Sequence, residues 1–388
     1  MLKYMLLPNY KDGSVVNLMS SVGGALGAKS KYTPLKILKP DELKSAKNVV
    51  LLVIDGLGFE FLQKYGKNSV FSKHLRGKIT SVFPTVTSTV VPTFFTGLSS
   101  QDHGMTGWHI FLKELGCVIR SLPYDLRTSR FSLAEVKDIS SVFNLKPFTN
   151  KISCNSYVVT QKDLMNSPFS IATAGKAKRY AYTNLNGCFK TIKKVITLNS
   201  KKKFIHAYWP NFDSLCHRHG TKSKKVLTHF KQLNKEVTSF LKSIESTNTV
   251  LIITADHGMI DVPKTKRIHL KNHPLLAETL TVPLCGDWRY VYCYVKPDKT
   301  KQFARYVKKK LKHCCTLHKS KHLVKKNYFG LGKPSKKFLE RIGDYTLIMK
   351  EGYALYESLA HEKGHYNKGD HGGLSKEELY VPLVVVNK

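Results

Sequence analysis

Residues 48–56, "NVVLLVIDG", decide the fold. After Asn48 come six apolar residues, four of them β-branched, with no polar alternation, and they stop at Asp55-Gly56. A run of this length and composition suits a strand covered on both faces, the usual condition inside a parallel sheet, and the Asp-Gly pair supplies the turn that ends it. The reading places Asp55 at the carboxyl end of a buried strand.

Two further runs repeat the pattern. "NTVLIITA" (248–255) stops at Asp256-His257-Gly258, and "KKFIHAYW" (202–209) leads to Asp213. Between them, Val226, Phe230, Leu233, Val237, Phe240 and Ile244 recur at steps of three and four, which predicts an amphipathic helix over 222–246. Strand, helix, strand makes a parallel crossover, and ligands of open parallel sheets bind outside the carboxyl ends of the strands. Three strand ends thus bring three acids to one crevice. "YVPLVVV" (380–386) is expected to close the sheet. The predicted class is α/β: an open, mostly parallel sheet flanked by helices, in a single catalytic domain over 1–388. Insertions at about 110–200 and 265–365, mixed and Lys-rich, are expected to build a smaller α+β cap.

Composition sets outer bounds. Of the 388 residues, 63 are Lys or Arg against 27 Asp or Glu, for a formal charge of +36. Lysine dominates the basic set, whereas recognition of phosphate by a planar fork favours arginine, so a general bias toward lysine explains most of the excess. Clusters at Lys201–Lys203, Lys308–Lys312 and Lys319–Lys326 still create a field that draws anions. The sequence has no specific nucleic-acid motif. The N-terminal apolar run before Pro8 is too short for a signal-peptide core, and no stretch approaches a membrane span, so a cytoplasmic or otherwise soluble chain is expected. Eight cysteines without CxxC spacing point to free thiols.

The chemistry sits in short motifs. In "DSLCHRHG" (213–220), Asp213 and His217 are one helical turn apart and share a side. "ADHG" (255–258) sets a carboxylate beside an imidazole at the mouth of a buried strand, where charge is costly unless it binds something. "GDHGG" (369–373) repeats the Asp-His-Gly pattern, and "FPTVTSTVVPTFFTG" (83–97) crowds five threonines and a serine before a glycine. On composition alone, a hydroxyl in this last stretch reads more readily as a helix cap than as a nucleophile.

In this order, "VIDG", "FPTVTSTVVPTFFTG", "DSLCHRHG", "TADHGM" and "GDHGG" resemble the alkaline phosphatase superfamily, in its type I phosphodiesterase and nucleotide pyrophosphatase branch. The resemblance spans residues 48–386 and implies a fold with that superfamily's sheet. It also implies roles. Asp55, Asp256 and His257 are the expected ligands of one metal ion, with the oxygen of Thr87, and Asp213, His217 and His371 those of a second. Two divalent ions follow, zinc first, with manganese or iron as alternatives. Thr87, the second threonine of "TVT", takes the nucleophile's place and would form a phosphothreonine intermediate. Tyr208 falls where relatives set a tyrosine against a nucleotide base, and Trp108 is the second expected substrate contact. The pattern departs from close relatives in two places: Ser88 replaces an aromatic residue after the nucleophile, and "MTGWHIF" lacks an asparagine after His103-Gly104.

The implied function is a two-metal hydrolase of phosphodiester or pyrophosphate bonds in nucleotides or nucleotide-like phosphate esters. A phosphomonoesterase or a phosphonoacetate-type hydrolase is the alternative within the same core. A basic, metal-stabilised protein that binds nucleic acid or an anionic surface is the non-enzymatic one.

Overall fold

The strand expected over 48–54 is β1 (Asn48–Ile54), buried at every position, and it lies at the middle of a seven-stranded sheet. The computed structural model describes residues 6–360, 362 and 366–388. The other strands of this sheet are β2 (Leu75–Thr80), β3 (Asn155–Gln161), β4 (Lys178–Tyr182), β5 (Lys203–Trp209), β6 (Thr249–Thr254) and β7 (Tyr380–Asn387). Their spatial order is β2-β7-β6-β1-β5-β3-β4. β1 pairs in parallel with β5 and β6, and β3 with β5 and β4, while β7 runs antiparallel between β2 and β6. β7 therefore joins the sheet one place in from its edge.

Register positions the chemistry. Val53 pairs with Tyr208 on one side and with Thr254 on the other, so β1, β5 and β6 end level with one another. Because all three are parallel, their carboxyl ends open on the same edge. Helices cover the faces: α1 (Val15–Ala25), α2 (Thr87–Thr96), α3 (Leu185–Thr197), α4 (Asn211–His219) and α5 (Lys224–Ser243). α5 is the helix expected over 222–246. It buries Val226, Phe230, Leu233, Val237 and Phe240, and the Ser223 hydroxyl accepts the Val226 N–H at its start.

A second seven-stranded sheet, antiparallel throughout, runs in the order 315–319, 345–349, 290–293, 285–287, 109–112, 117–120, 125–126. It draws on both expected insertions, but the first one divides. Residues 109–126 go to the second sheet, whereas β3, β4 and α3 extend the main sheet, so the span 110–200 is not a single cap insertion. β4, "KRYAY", is an edge strand with half-exposed and exposed positions, and its basic, interrupted pattern hides it from a search for apolar runs. Part of the end of the second expected insertion, residues 361 and 363–365, lies outside the described residues. Among the described residues no helix is long and apolar enough to cross a membrane.

Candidate active site

Three chain segments leave the level ends of β1, β5 and β6 and turn toward one another. Gly56 follows Asp55 with φ +75°, and a Cβ there would lie 3.1 Å from that of Asp213. The chain needs glycine at this position for both reasons. After β6, a Cβ on Gly258 would fall 2.0 Å from the Glu377 carbonyl oxygen, so "ADHG" packs backbone against backbone beside β7. Asp213 and His217 project from α4 one turn apart, as their spacing predicts.

The six acid and imidazole groups gather into two triads, Asp55 with Asp256 and His257, and Asp213 with His217 and His371, each with its donor atoms within 4.8 Å of one another. In the first, Nε2 of His257 is 3.4 Å from Asp55 Oδ1 and 3.4 Å from Asp256 Oδ2. The Thr87 hydroxyl joins them, 3.1 Å from the same nitrogen. In the second, Nε2 of His217 is 3.2 Å from Asp213 Oδ1 and 3.2 Å from Nε2 of His371, which lies 3.7 Å from that carboxylate oxygen. The triads adjoin, since the His257 and His371 rings stack with centroids 3.7 Å apart.

The three imidazoles and the carboxylates of Asp55 and Asp256 are each held by one atom and turn another inward. The three histidines direct Nδ1 at backbone carbonyls: His217 at Gly369 (2.8 Å), His257 at Gly258 (3.1 Å) and His371 at Thr85 (3.1 Å). Donating from Nδ1 fixes the tautomer and leaves the Nε2 lone pair facing inward. Asp256 Oδ1 accepts the N–H groups of Gly56 and His257, and Asp55 Oδ2 accepts the Tyr208 hydroxyl. Their other oxygens, Asp55 Oδ1 and Asp256 Oδ2, are buried without a hydrogen-bond partner among the described residues, as is Asp213 Oδ1.

Orphaned buried carboxylate oxygens are rare because each costs its full desolvation. Donor atoms about 2.05 Å from a tetrahedral zinc ion are roughly 3.3 Å apart, which matches the spacing of these atoms to one another. Two oxygens and one nitrogen in one triad, and one oxygen and two nitrogens in the other, are donor sets that a borderline divalent ion takes. The residues therefore fit two metal ions.

Electrostatics agree. Burial, reinforced by Asp256 and then Asp213, pushes the Asp55 carboxyl well above the usual carboxylate range. Burial alone would lower His217, yet the Asp213 carboxylate raises its imidazole to about 10. Asp213, against the upward push of burial, is held low by His217 and His371. Burial and then the neighbouring His257 drive His371 well below its ordinary value.

Thr87 is the first residue of α2, preceded by Val86 in extended conformation, and Gly97 in the left-handed region ends the helix. The neighbouring hydroxyls are placed differently. Thr85 donates to the Gly373 carbonyl (2.8 Å), and the Ser88 and Thr89 hydroxyls are buried. Thr93 faces His103, and Thr96 donates back to Pro92. Thr87 alone of this group opens on a cavity of about 370 Å³, whose walls include Phe95, Trp108, Phe169, Arg179 and Tyr208. Tyr208 and Trp108 are thus brought to the same cavity as Thr87, and Tyr208 also reaches Asp55. His109 turns away, buried against Trp288. Arg218, beside His217, is exposed.

The pattern of strand ends did not reveal one supporting pair. Arg289, from the turn between strands 285–287 and 290–293 of the second sheet, makes a two-pronged buried ion pair with Glu378, and Glu378 also accepts the Gly373 N–H (2.8 Å). It thereby anchors the loop that carries His371. The readable trace was "SKEE" (375–378), whose Ser-x-x-Glu spacing marks a capping box, and Ser375 and Glu378 form one.

A family model for "Type I phosphodiesterase / nucleotide pyrophosphatase" matches residues 49–374. No curated protein matches the chain. Among solved structures, an inactive variant of murine ectonucleotide pyrophosphatase / phosphodiesterase 5 in complex with AMP superposes with a TM-score of 0.64 at 18% identity, covering 86% of this chain and 87% of that one. The human ectonucleotide pyrophosphatase / phosphodiesterase 5 superposes with a TM-score of 0.63 at 17% identity, covering 87% of each. At these identities the likeness shows a shared fold.

Proposed function

The chain belongs to the type I phosphodiesterase / nucleotide pyrophosphatase family, and from that membership we propose that it hydrolyses phosphodiester or pyrophosphate bonds of nucleotide-like substrates with Thr87 as nucleophile and two divalent metal ions. The observation that carries the reading is the Thr87 hydroxyl, 3.1 Å from His257 Nε2, at the mouth of the cavity and at the edge of two inward-facing donor sets. Asp55, Asp256, His257 and the Thr87 oxygen would hold one ion, and Asp213, His217 and His371 the other. When bound, the ions supply positive charge to the phosphoryl oxygens and lower the pKa of a coordinated hydroxyl.

The chain's own groups do the rest. Thr87 Oγ1, its proton given up to solvent, bonds to phosphorus in line with the departing ester oxygen, whose bond breaks and which takes a proton from solvent, leaving a phosphothreonine. Water then cleaves that bond from the vacated side, and two inversions give net retention at phosphorus. The position of Thr87 at the start of α2 favours the anion, since the helix dipole and the first free N–H groups point toward it. Burial around His257 and Asp55 keeps the local dielectric low, which strengthens each of these interactions. Trp108 and Tyr208 offer flat faces to a base or another planar leaving group. The AMP bound in the murine structure supports a nucleotide-like substrate.

A diester carries one charge, and a monoester close to two, which calls for an additional positioned cation. The Arg179 guanidinium in the cavity wall donates to the Met165 carbonyl, Arg218 is exposed, and among the described residues neither is hydrogen-bonded to a residue of the triads, so the reading favours diesters. The test compares kcat/KM for bis-p-nitrophenyl phosphate and p-nitrophenyl phosphate at fixed ionic strength. A diester preference is expected, and a monoester preference that disappears in Arg218→Ala would overturn it.

A further inference from the structure

The segment 299–339 carries fourteen Lys or Arg residues and no Asp or Glu. A general taste for lysine over arginine does not remove acids, so this imbalance needs its own explanation. The segment folds as helix Thr300–Tyr306, the π-helix Val307–Leu311, strand Cys315–Lys319 and helix Ser320–Lys325. That strand is the outermost of the second sheet and, among the described residues, pairs only with 345–349. All the basic side chains except that of Lys299 are exposed, and among the described residues none of the fourteen is in an ion pair. Lys308, Lys309, Lys310 and Lys312 lead into the strand, Lys319 ends it, and Lys321, Lys325 and Lys326 follow it.

We propose that this lysine-rich edge of the second sheet is a docking surface for the phosphate backbone of duplex nucleic acid, bound without regard to sequence. Unpaired ammonium groups gain most from a partner that offers repeated phosphates and releases counterions on contact. The other candidate partners need side chains that are absent here. No large hydrophobic residue is exposed within 299–339, so nothing is available to insert into a lipid surface. No Phe, Tyr or Trp ring in the segment is exposed, which removes the large stacking platforms that single strands use. Lysine, as a point charge without a fork, favours backbone contact over reading of base edges. The inference stands apart from the hydrolytic reading, since it involves neither triad nor the cavity.

The test is fluorescence anisotropy of a labelled DNA duplex of about 20 base pairs with the full chain, over about 50 to 200 mM salt. Log K should fall linearly with log salt. The variant Lys308→Gln, Lys309→Gln, Lys310→Gln, Lys312→Gln should lose affinity by about tenfold or more, and its slope should flatten by about 0.9 for each lost phosphate contact. An equally charged control on α3 and the following turn, Lys190→Gln, Lys193→Gln, Lys194→Gln, Lys201→Gln, should leave affinity within about twofold. Both variants should hydrolyse bis-p-nitrophenyl phosphate at the parent rate, which verifies their fold. Equal losses in the two variants would reduce the effect to diffuse charge and overturn the proposal. Absence of duplex binding would overturn it too, as would tighter capture by phosphatidylserine vesicles through the same four lysines.

Discussion

Nε2 of His217 and Nε2 of His371 face each other across 3.2 Å, and each ring directs its Nδ1 at a backbone carbonyl, Gly369 for one and Thr85 for the other. Two imidazole lone pairs aimed at one point repel unless a cation lies between them. With Asp213 Oδ1 facing the same point, emission spectrometry on purified protein should find about two transition-metal ions per chain. His371→Ala should empty one site preferentially and abolish turnover. Full activity in protein stripped of transition metal would contradict the ligand assignment.

The same pair gives a pH dependence with a defined sign. In the metal-free protein the Asp213 carboxylate raises His217 to about 10, above the unfolded imidazole value of about 6.5. Its contribution to stability is therefore fully present below about pH 6.5 and is lost as pH rises through about 10. Metal binding must displace that proton, so metal affinity should climb across this window. Calorimetric titration of zinc at about pH 8 in two buffers of different ionisation enthalpy should register about one proton released from this site. Proton-neutral binding would contradict the pairing.

Glu378 governs the loop of His371 from behind. Despite complete burial, which pushes the other way, the Arg289 guanidinium holds its carboxyl below the usual value. A depressed acid contributes stability above its unfolded pKa and loses it as pH falls through the lower folded value. Glu378→Ala should cost about 3–5 kcal/mol in urea unfolding, because Arg289 is left buried and unpaired. Glu378→Gln should cost less and should remove part of the acid-induced loss of stability. A change below about 1 kcal/mol for Glu378→Ala would show the pair to be dispensable.

Tyr208 and Trp108 share a cavity but not a function. Tyr208→Phe removes the hydroxyl that Asp55 Oδ2 accepts, and loss of such an outer partner typically weakens metal affinity by about 10- to 100-fold. Trp108→Ala touches no ligand and should raise KM for a nucleotide ester and for bis-p-nitrophenyl phosphate alike while leaving kcat within about threefold. If Trp108→Ala lowered metal content, or Tyr208→Phe left it intact, these roles would be reversed or void.

The site was legible where chemistry coincides with strong local patterning. Asp55 and Asp256 follow apolar runs with no polar interruption, and Asp213 and His217 sit at helical spacing, so sequence alone locates them. β3 and β4 were not recovered as main-sheet strands, because "NSYVVTQ" is short and polar at both ends, and "KRYAY" is a basic, partly exposed edge. The carbonyls of Gly369, Gly258 and Thr85 that set the imidazole tautomers carry no side-chain signature at all. Arg289 meets Glu378 from another sheet, 89 residues earlier in the chain, and only the folded topology joins them.

The most direct measurement is the steady-state rate of bis-p-nitrophenyl phosphate hydrolysis by Thr87→Ala, made on protein whose metal content has been counted. The Thr87 hydroxyl lies 3.1 Å from His257 Nε2 and opens on the cavity, while Ser88 is buried and Thr85 is bonded to Gly373. Thr87→Ala is expected to keep about two ions per chain and lose turnover by at least about 1,000-fold, with Ser88→Ala staying within about threefold of the parent enzyme. A Thr87→Ala enzyme that retains both metals and still turns over at a rate close to the parent would contradict nucleophilic attack by Thr87.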